Sequence, residues 1–447
     1  MTVVIEGGPV ATVDAAGTEH RTGHVVIDDG RISAVGAGPA PAVEGATRID
    51  ASGLLLTPGL VNSHHHLYQW ITRGYATDDT LFGWLATLYP IWSRLTPDLV
   101  HAAASANLAW LALTGCTTST DHHYVFPHGA GDLLEAEILA ARDIGLRFHP
   151  ARGSMNLGQS AGGLPPDAVV ESHDAILAAT ANAIDRWHDP APDAMVRVAV
   201  APCSPFSVSA ELMRDCAALA RESGVRLHTH LAETVDEEEF CQATYGRTPA
   251  EYAEDLGWLG PDVWMAHGVH LAPDAVLRFA ATGTGVAHCP TSNGRLGAGI
   301  APVRALLDAG VSVGLGVDGS ASNESGRMVD ELHQAVLVAR YGGGPLALTA
   351  RESLQMATMG GARCLGREAE LGSIEVGKLA DVALWRMADL PGAGIEDPIC
   401  ALVLGASTLE HLLVGGRPIV AGGVLRTADP AALAARAAAA SATIARR

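Results

Sequence analysis

The seven cysteines of this 447-residue chain form no CxxC pair and are odd in number. That argues against a disulfide scaffold or a cysteine zinc knuckle and fits a reduced cytoplasm. No apolar stretch reaches ~18 residues before Gly, Pro or charge interrupts it, so no helix is expected to span a membrane. The opening MTVVIEGGPVATVD carries an acid and paired glycines where a signal peptide needs a basic start and an apolar run. Basic residues are outnumbered, 29 Lys+Arg against 49 Asp+Glu, for a net charge of −20. Such a surface repels phosphate backbones, so no nucleic-acid partner is expected. Aromatics make up only 5%, yet 48% of the residues are apolar, enough to bury a sizeable core. The expectation is a soluble, acidic, cytoplasmic protein.

Three textures follow one another along the chain. Residues 1–57 read as short β-branched strands, with Asp28-Asp29-Gly30 as a hairpin signal between HVVI and RISAV. Over residues 58–370, short apolar runs alternate with long Ala/Leu/Glu-rich helical segments. The candidate strands are LLLTPGLVNSH, TTSTDHH, LRFHPARG, VRVAVAPCS, VRLHTHLAE, VWMAHGV, TGVAHCP and VSVGLGVDG. Eight strand–helix units imply an α/β fold, a (β/α)8 TIM barrel over 58–370, with a doubly wound open sheet as the alternative. Short strands return over 371–429 in GSIEVGKLADVALW, ALVLG and LEHLLVGGRPIVAGGVL. Residues 1–57 and 371–429 are therefore expected to build one small β-sandwich-like module. The Ala-rich tail, 430–447, reads as a surface helix.

In a TIM barrel the chemistry sits at the C-terminal ends of the strands. Polar residues recur there: His64 and His66 after the first strand, His230 and Glu233 after the fifth, His267 after the sixth, Asp318 after the eighth. On a strand, residues two apart face one side, so His64 and His66 can reach one metal while His65 points away. One such pair is weak evidence, because 19 histidines yield about 0.8 H-x-H pairs by chance. A second pair, His228 and His230, with Asp318 available, makes a set of structural histidines a poor explanation. Asp318 can serve as ligand, base or helix cap, although Ser320 and Ser322 can cap instead. The DEEE run at 236–239 reads as a solvated helix start.

These residues suit metal-assisted hydrolysis. Three neutral imidazoles and an aspartate hold a divalent ion and leave a position for water, whose pKa falls toward ~7. Asp318 can take the proton of that water, Glu233 can carry it to the leaving group, and His267 can orient the attacking oxygen or stabilise the oxyanion.

TPGLVNSHHHL, HTHLAET, AHGVHL, GVDGSASN and GSIEVGKLADVALW, in that order, resemble the amidohydrolase superfamily in its deaminase and chlorohydrolase branch. The resemblance covers nearly the whole chain. It implies one divalent metal ion per chain, zinc or else iron, on His64, His66, His230 and Asp318, with Glu233 as proton shuttle and His267 beside the attacking oxygen. VRVAVAPCS lacks the lysine that a binuclear site would need there. The resemblance also implies a homo-oligomer. Glu233 favours deamination over halide loss, since an amine leaves poorly until protonated. The runs around NSHHHLYQWITRG, RGSMNLGQSAGGLPPD and CSPFSVS are most similar to bacterial 8-oxoguanine deaminases, which release urate and ammonia. Deamination of isoxanthopterin, guanine or a hydroxytriazine is the alternative, and a silent scaffold is disfavoured by the six intact residues. For a flat heterocyclic substrate, Gln69 can donate to and accept from an amide-like ring edge. Trp84 and Trp92, with Tyr89, can wall the pocket, and Arg73 and Cys203 are further candidates.

Overall fold

Asp29 and Gly30 both occupy the left-handed backbone region, at φ 44° and 81°, as a two-residue turn between Gly23–Asp28 and Arg31–Ala37 requires. In this computed structural model, which describes residues 1–446, that hairpin belongs to a four-stranded sheet with Val3–Glu6 and Thr47–Asp50. A seven-stranded sheet lies against it, with Leu54–Pro58 paired antiparallel to Val382–Arg386 at its middle. Val3, Ile5, Val25, Ile27, Leu56, Val382, Leu384 and Leu413 fill the space between them. Both termini thus supply the strands of one sandwich. ALVLG is an exception to the strand reading. It ends the helix Pro398–Leu404, because Asp397 caps it by accepting from the Ile399 and Cys400 amides and Pro398 starts it.

The barrel closes with eight parallel strands: β1 (Leu60–Asn62), β2 (Cys116–His123), β3 (Arg147–Ser154), β4 (Ala199–Pro202), β5 (Arg226–Leu231), β6 (Val263–His267), β7 (Gly285–His288) and β8 (Val313–Leu315). Their order around the barrel is their order along the chain, and β8 returns to β1 through Leu315 and Asn62. Each of the eight candidate runs contributes one strand, so an open sheet is excluded. The first run divides: LLLTP pairs within the sandwich, and only LVN enters the barrel.

One further pairing matters for function. Beyond the barrel rim, Asp318–Gly319 pairs in parallel with His65–His66, which fixes the chain after β8 against the chain after β1. The tail helix Pro430–Arg446 packs Leu433, Ala437, Ala440 and Ile444 inward, alongside the helix Pro97–Leu113; Arg447 lies outside the described residues. Among the described residues no helix is long and apolar enough to cross a membrane.

Candidate active site

The strand ends bring His64, His66, His230, His267, Glu233 and Asp318 into one buried cluster. Hydrogen bonds decide the tautomers. His66 Nδ1 lies 2.7 Å from the His122 carbonyl and His230 Nδ1 2.7 Å from the Cys203 carbonyl. A carbonyl only accepts, so both Nδ1 atoms carry the proton and both Nε2 atoms present lone pairs. His64 is set at one remove. His228 Nδ1 donates to the Trp264 carbonyl, its Nε2 therefore accepts, and His64 Nδ1 donates to it at 2.8 Å. Burial pushes His66 and His230 down to about 3 and His64 well below its usual value, so the rings are neutral.

Three lone pairs therefore converge without a donor. His66 Nε2 and His230 Nε2 stand 3.1 Å apart, and His64 Nε2 is buried with no hydrogen-bond partner. Asp318 Oδ1 lies 3.3 Å from both His64 Nε2 and His66 Nε2. Acceptors facing one another in a dry interior repel unless a cation lies between them. The donor set, three imidazole nitrogens and a carboxylate, is one that divalent transition metals take. The residues fit the metal.

Asp318, His267 and Ala232 all hold left-handed backbone, at φ 60°, 72° and 52°, without being glycine. Such conformations persist only where the surroundings enforce them. At Asp318 the enforcement is visible: His65 Nδ1 bonds its carbonyl, Ser292 Oγ donates to Oδ2 at 2.6 Å, and the Gly319 amide donates to Oδ1 at 2.6 Å. His267 Nδ1 bonds Asn293 Oδ1 at 3.0 Å, and its Nε2 lies 3.7 Å from Glu233 Oε2 and 3.9 Å from Asp318 Oδ2. Burial opposes the charged form of His267, but the Glu233 and Asp318 carboxylates outweigh it and raise its pKa. Burial lifts Glu233 to about 7, where it can both take and give a proton near neutrality.

The cavity above this cluster is walled by Gln69, Leu81, Trp84, Leu85, Tyr89, Tyr124, Cys203, Phe206 and Leu296. Gln69 is fully buried and its Nε2 has no partner, so it offers the cavity a free donor. Trp84 contributes only its ring, since Nε1 donates to the Ala321 carbonyl. Cys203 lines the wall, its Sγ 4.0 Å from His230 Nδ1. Two candidates lie elsewhere. Trp92 is buried behind Trp84, and its Nε1 donates to Thr72 Oγ1. Arg73 is exposed, stacks on Trp70 at 3.6 Å and donates to the Glu324 carbonyl.

The pattern described as the amidohydrolase family matches residues 55–419. The chain belongs to that family. This amidohydrolase is 45% identical over 442 residues to an 8-oxoguanine deaminase of Pseudomonas aeruginosa, covering 98% of each chain. It is 38% identical over 425 residues to an isoxanthopterin deaminase of an unknown prokaryotic organism, covering 89% of this chain and 87% of the other. Among solved structures, atrazine chlorohydrolase TrzN from Arthrobacter aurescens, complexed with zinc, matches at TM-score 0.93 and 36% identity. It covers 98% of this chain and 100% of its own.

Several residues of the amidohydrolase site escaped sequence reading. His122, at the end of β2, stacks on His230 at 4.7 Å between ring centroids; the polar ending of TTSTDHH was its only signal. Ser292 and Asn293 sit in the helix Pro290–Arg295 after β7, and no spacing pattern in the sequence points to them. The DEEE run is not all solvated, since Glu237 is completely buried. Behind the site, Asp121, His123 and Glu137 form a second buried trio. Burial pushes Glu137 up to about 8 and His123 down to about 4, so both favour their neutral forms. Asp121 accepts from the Leu67 amide, bracing the residue that follows His66.

Proposed function

We propose that this amidohydrolase removes the exocyclic amine of an oxopurine, converting 8-oxoguanine and water to urate and ammonia. His64, His66, His230 and Asp318 would hold one divalent ion, zinc or else iron. Bound there, such an ion lowers the pKa of its water ligand toward ~7. The chain's own residues supply the rest. Asp318 Oδ2, on the side facing His267, is placed to accept a proton from the attacking water. Glu233, buried and poised near neutrality, passes a proton to the ring nitrogen and the departing amine. His267 Nε2, between the two carboxylates, steadies the oxygen that adds to the ring carbon. The aromatic walls Trp84, Tyr89 and Phe206 suit a flat ring, and Leu81, Leu85 and Leu296 keep water out.

One observation carries the reaction class: Glu233 lines one cavity with His66, His230 and Asp318 of the donor set, and an amine leaving group needs such a proton carrier where a halide needs it less. The choice of 8-oxoguanine draws support from the 45% relative; isoxanthopterin is the second reading, on the 38% relative. Ammonia release would be followed over 8-oxoguanine, guanine, isoxanthopterin, adenosine, cytosine and a hydroxytriazine. The highest kcat/KM is expected on 8-oxoguanine. A higher value on another ring would overturn the substrate but keep the reaction, and no ammonia from any would overturn both.

Gln69→Ala removes the unpartnered donor from the cavity. The expected result is a KM for the best substrate raised by roughly 5- to 30-fold, the equivalent of about 1–2 kcal/mol, with kcat much less affected. Unchanged steady-state kinetics would place Gln69 outside the binding surface.

A further inference from the structure

Three T-x-x-E sequences each precede a helix in this chain: Thr234–Glu237, Thr248–Glu251 and Thr349–Glu352. The spacing predicts a capping box in each, with the threonine hydroxyl taking the glutamate's amide and the glutamate reaching back to the threonine's. Two form it. The Thr248 amide donates to Glu251 at 3.0 Å and the Thr349 amide to Glu352 at 2.8 Å, and both hydroxyls accept in return at 3.2 Å.

The third does not. The helix Val235–Tyr245 has Thr234 at its N-cap with no side-chain cap bond, and the Thr234 hydroxyl is buried and unpartnered. Glu237 instead reaches past Thr234. Its Oε1 accepts from the Ala232 amide and its Oε2 from the Glu233 amide, both at 2.9 Å. Both oxygens of a completely buried carboxylate are thus committed to the peptide that carries Glu233, just where Ala232 takes its left-handed turn. A helix cap has no need of that geometry, and it forgoes the threonine's contribution.

We infer that Glu237 is the positioning residue for Glu233: its two-pronged grip on the Ala232 and Glu233 amides sets where the proton-carrying carboxyl sits over the donor set. The inference rests on Glu233 being the proton carrier. Glu237 does not line the cavity, and both its oxygens are taken up by the two amides. In the Glu237→Gln variant, one prong becomes an amide NH2 facing a backbone N–H, so one buried amide loses its acceptor and the grip opens.

The test compares the full-length, metal-loaded protein with Glu237→Gln, Glu233→Gln and Glu352→Gln, reading kcat, KM, bound metal and Tm. For Glu237→Gln, kcat is expected to fall on the order of 10²-fold, the penalty of a misplaced group, with KM and metal content unchanged. Glu352→Gln, from a true capping box, should lower Tm and leave kcat alone. If Glu237→Gln behaves like Glu352→Gln, or loses metal in step with kcat, the positioning role is wrong. Full activity in Glu233→Gln would instead defeat the reading of Glu233 itself. Should Glu237→Gln fail to fold, Glu237→Asp, which keeps both acceptors on a shorter reach, is judged by the same split: lower kcat at constant KM and metal supports the role, and parental kcat overturns it.

Discussion

Glu233→Gln is expected to lower kcat by about three orders of magnitude while bound metal stays at the parental level. A positioned acid–base group contributes typically ~10²–10⁴-fold, and the amide keeps the size of the carboxyl while giving up the proton it carries. The loss should fall on kcat more than on KM, because the ring still meets Trp84, Tyr89 and Phe206. A second signature follows from burial, which raises Glu233 to about 7. In the parent an ionisation near that pH should shape kcat/KM, and in the variant it should vanish. A variant within tenfold of the parent, with the same pH profile, would remove Glu233 from the proton path.

Asp318→Asn is the second large effect, and it should strike metal and turnover together. The carboxylate stands 3.3 Å from both His64 Nε2 and His66 Nε2, and Ser292 and Gly319 fix its two oxygens. An amide of the same shape removes the only negative charge in the donor set and the acceptor for the water's proton. Metal per chain is expected to drop several-fold after dialysis, and kcat/KM by about 10³-fold or more. Parental metal content and activity in this variant would break the proposed donor set.

The barrel was legible because its signal is local: apolar runs of strand length alternating with helical stripes make eight units wherever they are read. The six clustered residues were legible for a related reason, since each closes an apolar run and the barrel's geometry sends every strand end to one rim. What escaped reading depends on contacts between distant segments. The spacing pairs His228 with His230, but its work is a hydrogen bond to His64, 164 residues away. Trp84 and Trp92 share one helix, and helical spacing alone cannot say which ring faces the cavity and which faces Thr72. ALVLG has a strand's composition, yet Asp397 and Pro398 just before it start a helix. Glu237 matched a capping box at the level of sequence; only the position of the Ala232 and Glu233 amides shows that the carboxylate is engaged elsewhere.

The measurement that bears most directly on the account is ammonia release from 8-oxoguanine by chelator-stripped protein titrated with zinc, with ferrous iron in a parallel arm. Activity should be absent at the start, rise in proportion to added ion and level off at one equivalent per chain. Full activity in the stripped protein, or a rise that continues to two equivalents, would contradict a single cation gripped by His64, His66, His230 and Asp318.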